Sequence, residues 1–575
     1  MKKLINEVSA VVPEMLAGLA ALNPGISVLH GTMIVVRADA SSVAAAGKVA
    51  VIAGGGAGHE PAHGGYVGEG MLTAAVAGEV FTSPSTDAVL DAIHAVAGPA
   101  GVLLIIKNYT GDRLNFGLAA ELARAEGIAV EMAVVADDVA LAAQGAHAGR
   151  RGLAGAIFVN KIAGAMAAAG GTLGEVAAAA RSAAAAMGTM GVALSSCTVP
   201  AAGKPGFELG PDEMEMGLGI HGEPGVERSA MKSADEIVAQ LLGKIIAELA
   251  LKAGDRVALL VNNLGGTPSS ELSIVAGSAL GFLERQGMQV ERAWAGTFLS
   301  ALEMAGVSLT LLKVDDARLG ALDAPAHTSA WPNRHGRPGK LLIVKPPIIS
   351  NASHAGSNLS PGSSLHRAIT AVCRTLIAAD HVLTEMDQKV GDGDLGISLA
   401  RGARAILEEL DSYPDETRPG AVLRRMAATV RRVVGGTSGP LYAVLLLRAA
   451  AVLERSNQPA AADWSAAFIA AVTGIQEIGG AKPGDRTMVD ALHPAAEAFA
   501  QALAGGANNT AALEAMVQAA TTGAQRTAAM SPRRGRSSYV GERAVGHVDP
   551  GAHATGLWLE AIRDVLTAYS NSLSS

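Results

Sequence analysis

The stretch KVAVIAGGG, residues 48–56, is a short apolar run that ends in three glycines. Similar runs recur from about residue 48 to 315, separated by alanine-rich segments with helical spacing. They are GVLLIIKNY (101–109), IAVEMAVVADD (128–138), AIFVNKI (156–162), RVALLVNNLGG (256–266) and SLTLLKVDD (308–316). Apolar strands that alternate with helices are typical of a buried, largely parallel or mixed sheet with helices on its faces. The sequence therefore predicts an α/β half whose polar strand ends carry a site.

The second half of the chain has a different pattern. Apolar residues recur at i, i+3, i+4 and i+7, which is the spacing of amphipathic helices. These segments are 363–387, 397–410, 419–434, 439–454, 462–478 and 553–569. Between the halves, residues 323–340 and 348–364 are rich in Pro, Gly, Ser and Asn, which predicts a linker. We expect an α/β domain over 1–335, a linker over 336–362 and an all-helical domain over 363–575.

Composition narrows the classes of function. The chain has 575 residues, more than one hydrophobic core usually supports. Its net charge of −8 is spread without long basic blocks, which argues against nucleic acid as the main partner. No apolar stretch approaches the roughly 20 residues of a membrane span. The two cysteines, Cys197 and Cys373, lack metal or disulfide spacing, so we expect a cytoplasmic protein.

The connector MDQKVGDGDLG, residues 386–396, gathers Asp387, Asp392 and Asp394 around glycines between two helical segments. Three carboxylates on a tight turn repel one another unless a cation neutralises them, and their hard oxygens suit Mg²⁺ or Ca²⁺. The EF-hand order of ligands is not met. The alternative is an exposed turn rich in aspartate.

Four further connectors in the helical half are rich in glycine. They are VGGTSGPL (434–441), IGGAKPGDRTMVD (478–490), RRGRSSYVGERAVG (533–546) and HVDPGAH (547–553). Glycines followed by hydroxyl residues at a helix start offer N–H groups to a phosphate. Each connector alone is typical of an ordinary helix–helix turn. Beside the three aspartates they favour a nucleotide site, and because GxxxxGK[ST] is absent it is not a P-loop.

Three motifs in the first half place polar groups at strand ends or in a glycine loop. GGGAGHEP (54–61) fits neither a Walker A loop nor a dinucleotide fingerprint, so His59 indicates a polar small-molecule site or a packed core histidine. KNYTGD delivers Lys107 and Asp112, either to hold and deprotonate a hydroxyl or as a structural ion pair. GLGIHGEPG frames His221, which is either a base or nucleophile or an exposed turn histidine.

Together these motifs resemble the dihydroxyacetone kinase family in its ATP-dependent form, which fuses a K (substrate) domain to an L (nucleotide) domain. GGGAGHEPAHGGYVGEGML, KNYTGD, GLGIHGEPG, VNNLGGT and GTFLSALEMAGVSLTLLKVD resemble the K part. GDGDLG, GGTSGPLY, GAKPGDRTMVDAL and GERAVGHVDPGA resemble the L part. The resemblance implies two α/β subdomains with mixed sheets, followed by a helical barrel or bundle.

The resemblance also implies roles for residues of the first half. His221 would bind the substrate carbonyl covalently as a hemiaminal, which selects short ketoses and aldoses over polyols. The substrate hydroxyls would be held near the glycine loop and the strand end, with His59 and Asp112 as the acid/base pair. The substrate-binding set is Gly56, Gly58, His59, Lys107, Asp112 and His221.

For the second half the resemblance implies ATP as phosphoryl donor. Asp387, Asp392 and Asp394 would hold two Mg²⁺ ions that bridge the phosphates. The nucleotide would be lined by Asp394, Leu395, Gly396, Thr437, Ser438, Gly480, Thr487, Met488, Asp549, Pro550 and Gly551, with Arg543 as a candidate phosphate contact. Family members work by closing two separate lobes, and we expect a homodimer.

Alternatives within and outside the family remain open from the sequence. Ala57 stands where many members have serine, which leaves the identity of the substrate less certain. Fused members include kinases that prefer four-carbon ketoses such as erythrulose, and animal relatives that cyclise FAD to cyclic FMN. K-like and L-like domains also serve as regulatory or binding proteins. The presence of His221 together with all three aspartates favours an ATP-dependent ketose kinase.

Overall fold

The computed structural model describes residues 2–141, 149–223, 225–333, 336–339, 344, 358–456 and 458–574. The chain divides into two compact units, Met1–Ile343 and Val344–Ser575. The first unit contains all the described strands and the second is helical, which confirms the predicted fold class. The boundaries at 335 and 363 stay predictions, because most of the predicted linker, 336–362, lies outside the described residues.

The first unit holds two mixed six-stranded sheets. The first has the order β1-β2-β4-β3-β5-β6 and the second the order β11-β10-β12-β7-β8-β9. The strands are β1 Ile26–Val28, β2 Ile34–Arg37, β3 Ala50–Ala57, β4 Ala74–Val80, β5 Val102–Lys107, β6 Val130–Val135, β7 Met187–Ala193, β8 Glu213–Met216, β9 Glu227–Ala230, β10 Arg256–Asn263, β11 Gln289–Gly296 and β12 Gly306–Lys313. In the first sheet β3 runs parallel to β4 and β5, and in the second β10 runs antiparallel to β12.

Nine helices accompany these sheets among the described residues. They are α1 Val11–Leu22, α2 Ala40–Ala45, α3 Thr86–Val96, α4 Thr110–Ala125, α5 Ala156–Ala168, α6 Leu173–Ala185, α7 Ala234–Glu248, α8 Ser269–Arg285 and α9 Asp316–Asp323. One core cluster joins Val51 and Ala53 of the first sheet, α5, and Ala258 and Leu260 of the second. Helix α5 therefore packs between the two sheets.

Two sequence predictions for this unit are wrong. AIFVNKI, 156–162, was predicted as a strand but forms the first half of α5, where 11 of 13 residues are buried. A helix buried on all sides has no polar face, so its sequence lacks the helical period. The stretch 323–340 was predicted as linker, yet Ala326 and Trp331 are buried and Trp331 packs against Trp294.

Asp137 connects the two sheets of the first unit. It follows β6 and accepts hydrogen bonds from the backbone N–H groups of Leu153 at 2.6 Å and Gly155 at 2.9 Å. The hydroxyl of Thr189, on β7 of the second sheet, donates to the same carboxylate. Burial raises the pKa of Asp137. This fully buried carboxylate thus ties the start of α5 to both sheets.

The second unit is built of ten α-helices in its described residues. They are α10 Ser364–Ala378, α11 Asp380–Val390, α12 Leu395–Glu409, α13 Pro419–Val433, α14 Ser438–Leu453, α15 Ala461–Gly479, α16 Val489–Ala504, α17 Asn509–Arg526, α18 Ser537–Val540 and α19 Pro550–Ser574. Successive long helices pack on one another from α13 to α17, and α10 packs on α19. No helix among the described residues is long and apolar enough to cross a membrane.

Candidate functional site

Two separate groups of predicted residues are assembled, one in each unit. In the first unit, His59 lies just beyond β3 and His221 lies in a glycine loop after β8, yet their ring centroids are 4.8 Å apart. Lys107 ends β5 and Asp112 lies in the first turn of α4, and both are buried. The structure therefore brings together residues that are up to 162 positions apart in the sequence, from both sheets.

The glycines of the β3 loop make room for their neighbours. At Gly55, a Cβ would lie 3.0 Å from the Lys107 Nζ and 3.5 Å from an Asp112 oxygen. At Gly56, it would lie 2.6 Å from the backbone nitrogen of Thr82. Gly58 has a φ of +92° and donates its N–H to Glu60 Oε1 at 3.0 Å. A side chain at Gly55 or Gly56 would thus displace the lysine or the Thr82 backbone.

His59 is fixed in one tautomer by its surroundings. Its Nδ1 lies 2.8 Å from the carbonyl oxygen of Ser300, which can only accept, so Nδ1 carries the proton. The Nε2 atom is buried and has no hydrogen-bond partner in the described structure. Burial, and then the charge of Lys107, hold the pKa of His59 well below its usual range. The neutral ring therefore presents a free lone pair on Nε2.

His221 sits among aromatic rings and against a carboxylate. The ring centroids of Tyr109 and Phe81 lie 4.7 and 5.2 Å from that of His221, both edge-on. The His221 Nδ1 is 3.0 Å from Glu223 Oε1. Although burial opposes it, the hydrogen bonds from His221 lower the pKa of Glu223 to about 2. Glu223, Tyr109 and Phe81 were not predicted as site residues. Glu223 and Tyr109 lie within the motifs GLGIHGEPG and KNYTGD, whereas Phe81 lies in none of the quoted motifs.

Lys107 is the cation of this group. Burial lowers its pKa, whereas the charges of Asp112, Glu223 and Glu60 raise it. The nearby carboxylates favour the charged ammonium, whose N–H groups can donate to hydroxyl or carbonyl oxygens. The first unit thus combines two imidazoles, of which His59 has an Nε2 without a hydrogen-bond partner, with an ammonium and a carboxylate, and this set is suited to binding a small polar carbonyl compound.

In the second unit the three aspartates lie together as predicted from their turn. One carboxylate oxygen from each of Asp387, Asp392 and Asp394 lies within 4.8 Å of the other two. Asp387 lies in the last turn of α11 and accepts the backbone N–H of Asp394 at 3.0 Å. Burial raises the pKa of Asp387, and the charge of Asp392 adds to that effect. Converging hard oxygens that repel one another fit a Mg²⁺ site.

The predicted nucleotide residues lie at helix ends near these aspartates. Thr437 and Ser438 begin α14, and Gly436 before them lies against Asp394, since a Cβ there would be 3.7 Å from its Oδ2. Leu395 and Gly396 begin α12. The helix N-termini of α12 and α14 therefore adjoin the carboxylates, where their N–H groups favour anions.

The remaining predicted residues lie at or beside the ends of α15, α16 and α19. Met488 caps α16 and contacts Gly551 at the start of α19, where a Cβ would lie 3.5 Å from that of Met488. Gly480 ends α15 with a φ of +65°. Thr487 donates its N–H to Asp490 at 2.8 Å. Pro550 begins α19, next to the buried Asp549, whose carboxyl group interacts electrostatically with Asp387.

The arginine-rich segment 533–546 contacts the three aspartates through Arg536, which was not among the predicted residues. Arg543 is exposed, whereas Arg536 forms an ion pair with Asp392 at 3.1 Å. Arg486 is fully buried and donates to the carbonyl oxygens of Ala544 and His547, which joins the turn before α16 to the turn before α19. The sequence did not indicate which of these arginines faces the carboxylates.

Comparison with known proteins identifies the family of this chain. The Dak1 domain model matches residues 17–330 and the DAK2 domain model matches residues 389–564. Human triokinase/FMN cyclase is 44% identical over 98% of this chain and 99% of its own length. This chain belongs to the dihydroxyacetone kinase family. A putative 3,4-dihydroxy-2-butanone kinase of Solanum lycopersicum is also 44% identical, over 97% of both chains.

Solved structures of the family agree with the fold. The dihydroxyacetone kinase of C. freundii in complex with AMP-PNP and Mg²⁺ is 36% identical, with a TM-score of 0.64 over 98% of this chain and 99% of that one. Its native form gives a TM-score of 0.65 over the same coverage. The recognised family and the two-part architecture predicted from the motifs are both confirmed.

Proposed function

We propose that this protein transfers the terminal phosphoryl group of ATP to a hydroxyl of a short ketose, with dihydroxyacetone as the first candidate. The observation that carries the proposal is that one chain holds both groups: His59, His221 and Lys107 in the first unit, and the three-aspartate turn between helix ends in the second. The full-length similarity to a dihydroxyacetone kinase that binds AMP-PNP and Mg²⁺ supports it.

On the sugar side, the Nε2 of His221 would add to the carbonyl carbon and hold the substrate as a hemiaminal. Lys107 and Asp112 would hold its hydroxyls, together with backbone groups of Gly56 and Gly58. The lone pair on Nε2 of His59 suits it to accept the proton of the hydroxyl that is phosphorylated. Asp112 is the second candidate for that proton. A polyol such as glycerol has no carbonyl for His221 and would be a poor substrate.

On the nucleotide side, Asp387, Asp392 and Asp394 would hold Mg²⁺, whose charge neutralises the phosphates during transfer. The N-termini of α12 and α14 would direct N–H groups at phosphate oxygens. Thr437, Ser438, Gly480, Thr487, Met488 and the Asp549-Pro550-Gly551 turn would line the nucleotide, and Arg543 would contact a phosphate. Arg536 would release Asp392 when the cation binds, because both compete for the same oxygens.

A four-carbon ketose is the second candidate substrate. The name of the Solanum lycopersicum relative, 44% identical to this chain, contains a four-carbon ketone. This similarity favours testing tetruloses beside dihydroxyacetone.

A substrate panel tests the proposal directly. Purified protein with Mg-ATP is assayed against dihydroxyacetone, glyceraldehyde, both erythruloses and glycerol, with FAD as a separate substrate for cyclisation. We expect turnover of the carbonyl sugars and none of glycerol. Absence of turnover with every carbonyl sugar would refute the kinase function, whereas a much higher kcat/KM for a tetrulose would assign the second candidate.

The covalent role of His221 is tested separately. His221→Ala should lose tight binding of dihydroxyacetone and retain binding of the ATP analogue AMP-PNP, because the two sites are in different units. An unchanged KM and kcat would contradict the hemiaminal. We further propose a homodimer and a cytoplasmic location, which light scattering and cell fractionation would check.

A further inference from the structure

Glu223 contacts His221 twice. Its Oε2 accepts the backbone N–H of His221 at 2.9 Å, and its Oε1 lies 3.0 Å from the Nδ1 of the ring. An ionised carboxylate has no proton to donate, so Nδ1 must carry the proton. The lone pair of the imidazole is then on Nε2. In the opposite tautomer, Nε2 would be protonated and could not act as a nucleophile.

Further contacts hold Glu223 in this place. A Cβ at Gly219 would fall onto Oε2 of Glu223 and lie 2.8 Å from the Nη1 of Arg151, so the loop can close only around a glycine there. Arg151 donates to the Gly217 carbonyl at 2.7 Å and pairs with the buried Asp138 at 2.6 Å. The carboxylate is thus fixed by its loop, and the loop is fixed by an arginine from outside it.

We propose that Glu223 is a positioning residue for His221: it fixes the tautomer with a free Nε2 and faces the positive charge that the ring acquires on attack. This inference rests on the proposed covalent function of His221. It adds a residue to that function, because the carboxylate and not the glycine loop alone selects which nitrogen is nucleophilic.

The chemical step requires no further reactant. The Nε2 lone pair forms a bond to the carbonyl carbon, and the π electrons of the C=O bond move to oxygen, which takes up a proton from solvent. The ring, still protonated on Nδ1, is then cationic beside the Glu223 carboxylate. Release of the Nδ1 proton through Glu223 to solvent gives the neutral hemiaminal, so protons balance.

Glu223→Gln is the decisive variant because it reverses one of the two contacts. The backbone N–H of His221 can only donate, so the amide oxygen of glutamine must face it. The amide NH₂ then faces Nδ1, which must accept, and this places the ring proton on Nε2. Glu227→Gln, at an exposed position on β9, removes the same charge four residues away and serves as the matched control.

The first measurement uses the ligand-free protein. Ring-¹⁵N-labelled histidine reports the tautomer of each imidazole, and the His221→Ala spectrum identifies the signal among the 14 histidines. We expect an Nδ1–H ring in the wild type and in Glu227→Gln, and an Nε2–H ring in Glu223→Gln. An unchanged tautomer in a folded Glu223→Gln protein would overturn the proposal.

The second measurement uses [2-¹³C]dihydroxyacetone, whose carbonyl signal is replaced by that of a tetrahedral carbon in the adduct. Glu223→Gln should raise the KM for dihydroxyacetone by roughly 10- to 100-fold with a smaller change in kcat, as for loss of a charged hydrogen bond. Glu223→Asp should restore part of the adduct, since it keeps the charge; restoration no better than with Gln would count against the proposal. If the wild type forms no adduct, the covalent function fails, while the tautomer result still tests the role of Glu223 independently.

Discussion

The second unit contains a buried acid, Asp549, whose ionisation should make the stability of this unit depend on pH. Burial raises the pKa of Asp549 to about 6 from its ordinary value of 3.8, while the N–H of Ala552 and the charge of Arg486 oppose the rise. The folded state therefore binds this proton more tightly than the unfolded state does. The resulting stabilisation is complete below about pH 4 and is lost as the pH rises through about 6. Two pKa units correspond to at most about 3 kcal/mol.

Asp549→Asn tests the raised pKa of Asp549, because asparagine has nearly the same shape and cannot ionise. The Asn Oδ1 can still accept the N–H of Ala552, which Asp549 accepts at 2.8 Å. We expect the variant to match the wild type near pH 4 and to exceed its unfolding free energy at pH 7–8 by up to about 3 kcal/mol. Urea unfolding at several pH values, in EDTA and without nucleotide, measures the difference, with peptide-resolved hydrogen exchange to assign it to α19.

Asp564→Asn is the matched control, because it removes an exposed carboxylate of the same helix. Its ion pair with Arg563 is at the surface, so a change of less than about 1 kcal/mol is expected at every pH. Parallel pH profiles of Asp549→Asn and the wild type between pH 4 and 7 would refute the reasoning, because they would show that Asp549 does not hold a proton in the folded protein.

Three further outcomes are expected. Asp392→Asn combined with Asp394→Asn should weaken Mg-AMP-PNP binding by at least about 10-fold in calorimetry, and an unchanged affinity would remove both from the metal site. Gly56→Ala should destabilise the first unit by about 1–3 kcal/mol, because its Cβ would clash with the backbone of the neighbouring segment. Gly117→Ala, which lies in open space on α4, should stabilise the unit by up to about 1 kcal/mol. Thermal unfolding distinguishes the two variants. Asp137→Ala should cost about 3 kcal/mol or more, since it leaves the buried N–H groups of Leu153 and Gly155 before α5 unpaired, and a loss below 1 kcal/mol in urea titrations would contradict that role.

The sequence predicted the elements whose pattern is local. Strands β3, β5 and β10 were predicted because each is a short apolar run that ends in glycine or in polar residues. The amphipathic helices were predicted because each keeps a polar face. Helix α5 was predicted as a strand since it has no such face: both sheets cover it. Local pattern therefore fails where tertiary packing removes the contrast between the two sides of an element.

The same limit applies to the candidate sites. His59, Lys107, Asp112 and His221 were singled out from their motifs, and the structure places them together, although their roles await the experiments above. Arg151 was missed because it acts on the His221 loop from 66 residues away, through the Gly217 carbonyl. The ion pair of Arg536 with Asp392 was missed for a similar reason, since a run of arginines does not show which one reaches a carboxylate, and the phosphate contact of Arg543 stays a prediction.

The hydrogen bonds around His59 have a consequence for how the two sheets of the first unit separate on unfolding. His59 donates a hydrogen bond to the carbonyl oxygen of Ser300, and the neighbouring Gly58 carbonyl accepts the N–H of Leu302 at 2.8 Å. These bonds connect the glycine loop of the first sheet to the segment that precedes β12 of the second sheet. A ligand bound covalently to His221 and hydrogen-bonded to Lys107 would also connect the two sheets. Such a ligand acts as a removable cross-link, so the sheets should separate more slowly as its occupancy rises. On heating, sugar binding should be lost before the secondary structure is lost.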